Sequence, residues 1–336
     1  GNGVWQYSTD GGTTWNAVAG PVSATHALLL ADADRIRFVP DGHNATAASF
    51  TYRAWDHASG TAGTYADTST HGGTSAFSSQ ENAMDIAVTA VNDAPVLASD
   101  APVLNPLTED DTANAGQTVA SFLGSTISDV DSGALPGIAI TATDDGNGHW
   151  EYSTNGGSTW NTVTGLTGAN GLLLASTDKI RFVPDGQNAT TATLTYHAWD
   201  RSTGTSGSLV SLAATGGTSA FSPTNNQVSI AVSAVNDAPV LAAGDTTLTP
   251  LTEDDTGNAG QLVSALRGAT TDADSGAVQG VAITSLDSGN GTWQYSTDGG
   301  TTWINADVGG AVTGTHALLL ADTDRIRFLP DGQNAT

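Results

Sequence analysis

The amino-acid sequence predicts an all-β fold of tandem β-sandwiches, and its composition and patterning support this. The chain of 336 residues contains 40 Gly, and Thr, Ser and Val are abundant, which suits short strands and turns. Apolar and polar residues alternate in residues 85–90 and 229–234, the pattern of a half-buried strand. Clusters of Gly, Asp, Asn and Pro separate such runs, and no helical period is evident.

The sequence also repeats itself with a period of about 144 residues. Residues 91–97, Val-Asn-Asp-Ala-Pro-Val-Leu, return as residues 235–241. A unit of this length is the size of a domain and far longer than a solenoid turn. We therefore predict three segments: residues 1–97 as the C-terminal two-thirds of one repeat, 98–241 as a complete repeat, and 242–336 as the N-terminal two-thirds of the next. This pattern predicts a slice of a longer repeat array.

Short strands separated by turns are predicted throughout the complete repeat. The candidate strands are residues 103–107, 117–123, 138–143, 149–153, 159–163, 171–175, 179–183, 192–199 and 227–234. Between the last two lies a stretch rich in Ser, Thr and Gly, residues 201–223, which we expect to be exposed and mobile. Residues 144–148, Asp-Asp-Gly-Asn-Gly, are expected to turn a hairpin.

The charge balance excludes several classes of partner. Lys and Arg number 9 against 34 Asp and Glu, a formal net charge of −25. Binding to nucleic acid or to an anionic membrane needs a basic face, which this chain cannot supply. The chain has no cysteine, which excludes disulfides and thiolate sites, and no apolar run approaches the length of a membrane span. We therefore expect no nucleic-acid partner and no membrane insertion, but an attraction for cations.

One recurring motif suggests an enzyme at first sight. Residues 8–15 fit the pattern S-x-D-x-G-x-T-W and resemble the Asp-box of sialidases; the motif returns at 153–160, with Asn155 for Asp, and at 296–303. In sialidases the box is structural, and a propeller would need one every ~45 residues. The seven histidines are scattered, which argues against a zinc site. We expect three stabilising hairpins and no enzyme.

Two other recurring features have competing interpretations. One set of aromatic residues could form either a hydrophobic core or a platform on which sugars stack: Trp5, Trp15, Tyr52 and Trp55, with their counterparts Trp150, Trp160, Tyr196 and Trp199. Three Asn-Ala-Thr sequences, at 44–46, 188–190 and 334–336, are glycosylation sequons. Each lies in a Pro-Asp-Gly-x-Asn turn, where Asp and Asn are also expected for turn reasons alone.

Paired aspartates point to a metal ion. Asp129 and Asp131, and again Asp272 and Asp274, form the pattern D-x-D-S-G. Side chains at i and i+2 of an extended segment point the same way, and Ca²⁺ takes six to eight hard oxygen ligands. Two carboxylates ~5 Å apart repel by roughly 3 kcal/mol at an effective dielectric of ~20, and a divalent ion between them makes the interaction attractive. The alternative is that these aspartates are only turn residues.

The order of motifs resembles a known family. Residues 51–56, Thr-Tyr-Arg-Ala-Trp-Asp, are followed by a Gly/Ser/Thr loop, Ala-Phe-Ser at 76–78, an alternating strand and Val-Asn-Asp-Ala-Pro. This series resembles the end of a cadherin repeat and the start of its linker. With the Trp-x-Tyr-Ser-Thr-Asp-Gly-Gly hairpin, the whole chain is similar to the cadherin-like tandem repeats of giant bacterial surface adhesins. The resemblance implies Ig/cadherin-like Greek-key β-sandwiches in a linear array.

The resemblance also implies the ligands of Ca²⁺ at two junctions. The implied set is Asn92, Asp93, Asp129, Asp131 and Asp200 at the first junction, and Glu109, Asn236, Asp237, Asp272 and Asp274 at the second. Asp110 is a possible companion of Glu109. The fuller family linker reads D-x-N-D-N, but Ala90 and Ala94 replace its first and last members here. One or two ions per junction are therefore expected and not three.

The implied function is structural. We expect an extracellular, calcium-stiffened stalk or fibre of a large bacterial surface protein, active in cell adhesion or biofilm and secreted to the cell surface. Its partners would be the neighbouring repeats of the same chain, with self-association or surface glycans as further candidates. The alternative function is an adhesin module that binds glycans or protein.

Overall fold

The computed structural model describes residues 1–333, and its regular elements are almost all strands, which confirms the predicted all-β class. The described residues contain only two helices, each of a single turn. Neither is long or apolar enough to cross a membrane. The sequon at residues 334–336 lies outside the described part.

The elements follow one another as strands with the two helices inserted. In chain order they are β1 Gly3–Ser8, β2 Asn16–Ala17, β3 His26–Leu28, β4 Arg35–Pro40, β5 Thr46–Tyr52, β6 Tyr65–Asp67, β7 Asn82–Val88, β8 Val96–Leu97, β9 Leu107–Thr108, β10 Gln117–Thr118, α1 Val119–Leu123, β11 Ile127–Ser128, β12 Gly137–Asp144, β13 Gly148–Ser153, β14 Asn161–Thr162, β15 Asn170–Ala175, β16 Lys179–Pro184, β17 Thr190–Trp199, β18 Leu209–Ser211, β19 Phe221–Ser233, β20 Val240–Leu241, β21 Gln261–Leu262, α2 Val263–Leu266, β22 Thr270–Thr271, β23 Gly280–Ile283, β24 Gly291–Ser296, β25 Ile304–Asn305, β26 Leu318–Ala321 and β27 Arg325–Pro330.

These elements group into two compact units. The first unit contains Gly1–Pro106, Ala113–Val183 and Thr191–Ala231. The second contains Leu107–Thr112, Pro184–Thr190 and Val232–Thr336. The division into segments 1–97, 98–241 and 242–336 follows the sequence period and stays a prediction.

The largest sheets of the first unit are formed by strands between β10 and β19. One sheet runs in the order β18-β15-β12-β17-β19 and the other in the order β10-β16-β13-β14. In β17 burial alternates along the strand, so that Leu194, Tyr196 and Ala198 are fully buried. Trp150 of β13 lies edge-on to Phe182 of β16, with ring centroids 5.3 Å apart. These separate sheets, each with a buried face and neither closed into a barrel, agree with the predicted β-sandwich class.

The first segment adds smaller sheets to the same unit. Strands β2, β1 and β4 form one sheet, and β3 pairs with β6 and β5 with β7, all antiparallel. Strand β8, which directly follows the linker 91–95, pairs with β11, with Val96 opposite Ser128. This last pair brings the linker 91–95 beside the residues that follow β11.

The second unit repeats part of this arrangement. Its main sheet has the order β21-β27-β24-β25, and β23 pairs with β26 and β20 with β22. Val263, Leu320 and Ile326 form its buried cluster. The last residues of β19, Val232 and Ser233, pair in parallel with β9. This pairing positions the residue after β9, Glu109.

Two sequence-based expectations about local structure were wrong, and a third was right about exposure but missed a short strand. The predicted strand 117–123 ends at Thr118, because Val119, Phe122 and Leu123 are buried at helical spacing in α1. Residues 144–148 do not turn a hairpin, because β12 and β13 belong to different sheets. The loop 201–223 is largely exposed, as expected, although it contains the short strand β18 and is buried near its end at Ala220 and Phe221.

The Asp-box motifs do form hairpins. In the first, β1 pairs with β2, and the Asp10 carboxylate accepts hydrogen bonds from the backbone N–H groups of Thr13 and Thr14 at 3.0 and 2.8 Å. In the second, Asn155 accepts the corresponding bond from Thr159 at 2.9 Å. The tryptophan that ends the first motif, Trp15, donates to the Gly12 carbonyl at 3.1 Å. The motif therefore stabilises a turn, as predicted.

Candidate metal centre

The first acidic cluster consists of Asn92, Asp93, Asp129, Asp131 and Asp200, all in the first unit. Three local features bring these residues together. The aspartate pair follows β11 directly, and β11 pairs with β8 immediately after the linker. Asp200 follows the last residue of β17 and is 6 % exposed. The predicted ligands of the first junction are thus gathered at one place.

Backbone hydrogen bonds fix the orientation of the paired aspartates. The N–H of Asp93 donates to Oδ2 of Asp131 at 2.7 Å, and the N–H of Asp131 donates to Oδ1 of Asp129 at 2.8 Å. The side-chain nitrogen of Asn92 donates to Oδ2 of Asp200 at 2.9 Å. Each carboxylate keeps oxygen lone pairs beyond these bonds, since a carboxylate offers about four acceptor positions.

The electrostatics of this cluster are unfavourable for bare carboxylates. The second oxygen of Asp129, Oδ2, is buried and has no hydrogen-bond partner. Burial raises the pKa of Asp129, and the negative charges of Asp131, Asp200 and Asp93 raise it further. A buried acceptor without a donor is costly, and each such atom in a native structure needs an explanation.

The second acidic cluster consists of Glu109, Asn236, Asp237, Asp272 and Asp274, all in the second unit. Glu109 is fully buried, with 0 % of its surface exposed. Its backbone N–H donates to the carbonyl of Ser233 at 3.0 Å, and its Oε1 accepts from the N–H of Val235 at 2.7 Å. A fully buried glutamate is rare unless its charge is compensated.

Three carboxylates of the second cluster converge. One oxygen each from Glu109, Asp237 and Asp274 lie within 4.8 Å of one another, and no other three acidic or His side chains within residues 1–333 do so. The Oε2 of Glu109 and the Oδ2 of Asp237 are both buried without a hydrogen-bond partner. The N–H of Asp237 donates to Oδ2 of Asp274 at 2.9 Å, as the corresponding groups do in the first cluster.

The other predicted ligands occupy the margin of the second cluster. Oδ1 of Asp272 accepts from the N–H of Asp274 at 3.0 Å. Asn236 is exposed, and its side-chain nitrogen donates to the Asp237 carbonyl at 2.8 Å. Asn236 and Asp272 line an open cleft of about 350 Å³ together with Asp237 and Asp274. Asp110 is exposed and is not one of the three converging carboxylates.

Sequence patterns alone missed two sets of contacts at these clusters. The carbonyl of Ser219 accepts from the Asn92 side chain at 3.2 Å. Asn44 and Asn188 each contact a paired-aspartate loop from a distant turn. The available signal was recurrence: Thr-Ser-Ala-Phe occurs at 74–77 and 218–221, and the Pro-Asp-Gly-x-Asn turn occurs three times.

Three of the aromatic residues that were candidates for sugar stacking are core. Trp150, Tyr196 and Trp199 are at most 1 % exposed. Trp160 is half-buried, and the guanidinium of Arg181 lies 4.2 Å above its ring centre. This confirms the core interpretation for the three buried side chains and leaves none of them available to stack on a sugar.

The chain matches no protein-family model, and no curated protein or solved structure is significantly similar to it. The resemblance to cadherin-like adhesin repeats therefore rests on the motifs of this chain, and membership of that family stays a proposal.

Proposed function

We propose that the two acidic clusters bind Ca²⁺ and that the chain is a calcium-stiffened structural repeat region. The observation that carries the proposal is the convergence of Glu109, Asp237 and Asp274, with two buried oxygens that have no hydrogen-bond donor. Burying an uncompensated carboxylate is strongly unfavourable, and the penalty is largest where other carboxylates lie close. A divalent cation supplies the missing positive charge.

The chemistry of the donor set favours Ca²⁺ over other metals. Every ligand candidate offers oxygen from a carboxylate or an amide, and the chain has no cysteine. Hard oxygen donors in an irregular arrangement suit Ca²⁺, whereas structural zinc sites use Cys and His. The convergence of three carboxylates at one point supports a first ion in the second cluster, with the neighbouring Asp272 and Asn236 as further donors.

The position of the clusters suggests a mechanical role. Each cluster combines a linker aspartate with the D-x-D loop that follows, through the hydrogen bonds from Asp93 to Asp131 and from Asp237 to Asp274. An ion bound there would join two parts of the chain that are separated by more than 35 residues. Binding would therefore restrict the linker, which is the behaviour required of a stiff stalk.

The setting we infer is extracellular. The resemblance to bacterial adhesin repeats supports a stalk or fibre at the cell surface in adhesion or biofilm formation. The formal charge of −25 and the absence of cysteine agree with a role in attracting cations and give no indication of disulfide stabilisation. The partners would be neighbouring repeats of the same chain.

Small-angle X-ray scattering and calorimetry on the chain test this function. We expect the largest dimension to be better defined and the melting temperature to be higher in millimolar Ca²⁺ than in EGTA. Mg²⁺ at equal ionic strength is the control, because it screens charge equally but demands a tighter octahedral site. Unchanged scattering, melting temperature and heat of titration in Ca²⁺ would overturn the proposal.

A further inference from the structure

Each paired-aspartate loop makes a further hydrogen bond through its backbone, and not through its acidic side chains. Oδ1 of Asn188 accepts a hydrogen bond from the backbone N–H of Ser275 at 2.9 Å. Oδ1 of Asn44 accepts the equivalent bond from Ser132 at 2.8 Å. The partners are 87 and 88 residues apart in the chain, so the same long-range contact forms twice, once in each unit.

The asparagine is not needed to form its own turn. In the Pro-Asp-Gly-x-Asn turn the aspartate already caps the backbone: Oδ1 of Asp185 accepts from the N–H of Gln187 at 3.0 Å. Gly186 provides the left-handed conformation, with φ of 76°. The side chain of Asn188 is therefore free to reach outward, and turn chemistry alone does not account for it.

The asparagine completes the restraint of the loop. In the second unit, the N–H of Asp274 is held by Asp272 and the next N–H, that of Ser275, is held by Asn188. The first unit has the same pair of bonds, and there the side-chain nitrogen of Asn44 also donates to the Val130 carbonyl at 3.2 Å. Consecutive amides of the loop are thus fixed from two different sides.

We propose that Asn44 and Asn188 are positioning residues, which latch the D-x-D loops in a ligand-ready conformation before any ion binds. We call these hydrogen bonds of Asn44 and Asn188 the latch. Any benefit of the latch to ion binding rests on the proposed calcium function, but the hydrogen bonds themselves form without a metal. Pre-fixing a loop lowers the entropy lost on binding and so increases affinity. In the first unit the atom that a glycan would modify, Nδ2 of Asn44, is part of the latch.

Amide hydrogen exchange of the chain in EDTA tests the latch without calcium. In Asn188→Ala the Ser275 amide should exchange roughly five- to tenfold faster, as expected for one lost hydrogen bond, while Ser132 is unchanged. Asn44→Ala should give the reverse pattern. Gln187→Ala is the matched control, because it truncates the exposed neighbouring side chain of the same turn.

The outcomes separate the latch from the metal site. Equal Ser275 exchange in Asn188→Ala and the unaltered chain, or equal acceleration in Gln187→Ala, would overturn the latch. Calcium titration of the same variants gives a second readout, for which we expect several-fold weaker binding in Asn188→Ala. A chain that binds no calcium in any variant would overturn the proposed function, and the exchange pattern would still decide the latch.

Discussion

The carboxylate of Glu109 accepts a 2.7 Å hydrogen bond from the backbone N–H of Val235, and this bond satisfies only one of its two oxygens. The other oxygen is buried beside carboxylates of Asp237 and Asp274. The hydrogen bond from the Val235 backbone thus holds the Glu109 side chain at the linker, while the negative charges of Asp237 and Asp274 repel it. The two effects have opposite signs, and a cation bound at this cluster, as we propose, would change the balance between them.

Neutralising Glu109 should therefore have opposite effects with and without calcium. In EDTA, Glu109→Gln removes the repulsion and keeps an acceptor for the Val235 N–H. The free energy of unfolding should therefore increase by about 1–3 kcal/mol, and the melting temperature should rise with it. In calcium, the variant loses a ligand charge and the stabilisation by the ion should shrink. Differential scanning calorimetry in both buffers measures the two changes.

The neighbouring Asp110→Asn is the matched control for this prediction. It removes the same charge one residue away, but Asp110 is exposed and outside the converging group. We expect its effect to be small in both buffers, since exposed charges are screened. If Glu109→Gln destabilised the chain equally in EDTA and in calcium, Glu109 would be a structural residue and not a metal ligand.

The two clusters should lose calcium independently. Asp129→Ala with Asp131→Ala should abolish binding at the first cluster only, and Asp272→Ala with Asp274→Ala at the second only. The clusters share no residues and lie in different units, so independent losses are expected. Isothermal titration calorimetry measures the stoichiometry. The control, Asp144→Ala with Asp145→Ala, removes the same charge outside both clusters and should leave the number of bound calcium ions unchanged. A lower number in this control would indicate that calcium is attracted non-specifically by the negative charge.

Acidification should weaken the first Asp-box turn. Hydrogen bonds from the side chain and backbone of Thr14, and from Ser8, lower the pKa of Asp10 below its ordinary 3.8. A lowered folded pKa means that the stabilisation is complete above the ordinary value and is lost as the pH falls below it. The Thr14 amide should therefore become less protected on titration from about pH 5 to about pH 2.

The second Asp-box motif provides a natural control for the acid titration. Asn155 makes the corresponding hydrogen bond to Thr159 with a side chain that does not titrate. Its amide protection should stay constant over the same pH range, and Asp10→Asn should give the first turn the same constancy. NMR amide exchange reports both turns at once, and identical acid responses at Thr14 and Thr159 would contradict the prediction.

Much of the fold could be predicted because apolar and polar residues alternate along a strand that has one buried and one exposed face. The buried residues of β17 follow that pattern closely. The short helix α1 was missed because five residues are too few for a period of 3.6 to be distinguished from alternation. The connection 144–148 was missed because turn chemistry reveals a reversal of direction but not the sheet that the next strand joins.

The candidate site was predictable only where its residues are neighbours in sequence or recur as a motif. The paired aspartates and the linker are local patterns, and Glu109 followed from the resemblance. Asn188 was not assigned to the site, because its partner Ser275 is 87 residues away and the turn explanation sufficed locally. A contact made by a backbone carbonyl, such as that of Ser219 with Asn92, does not depend on the type of side chain, so only the recurrence of Thr-Ser-Ala-Phe marks it in the sequence.

Equivalent leucines of two repeats should differ sharply in their contribution to stability. Leu173 and Leu319 occupy the same place in the recurring Leu-Leu-Leu-Ala sequence. Leu173 is fully buried in a cluster with Trp199 and Phe221, whereas Leu319 is 74 % exposed. Leu173→Ala should lower the free energy of unfolding by about 2–5 kcal/mol, because it leaves a cavity. Leu319→Ala should change it by less than about 0.5 kcal/mol. Denaturant unfolding followed by tryptophan fluorescence compares them, and equal losses would show that Leu319 is buried in solution.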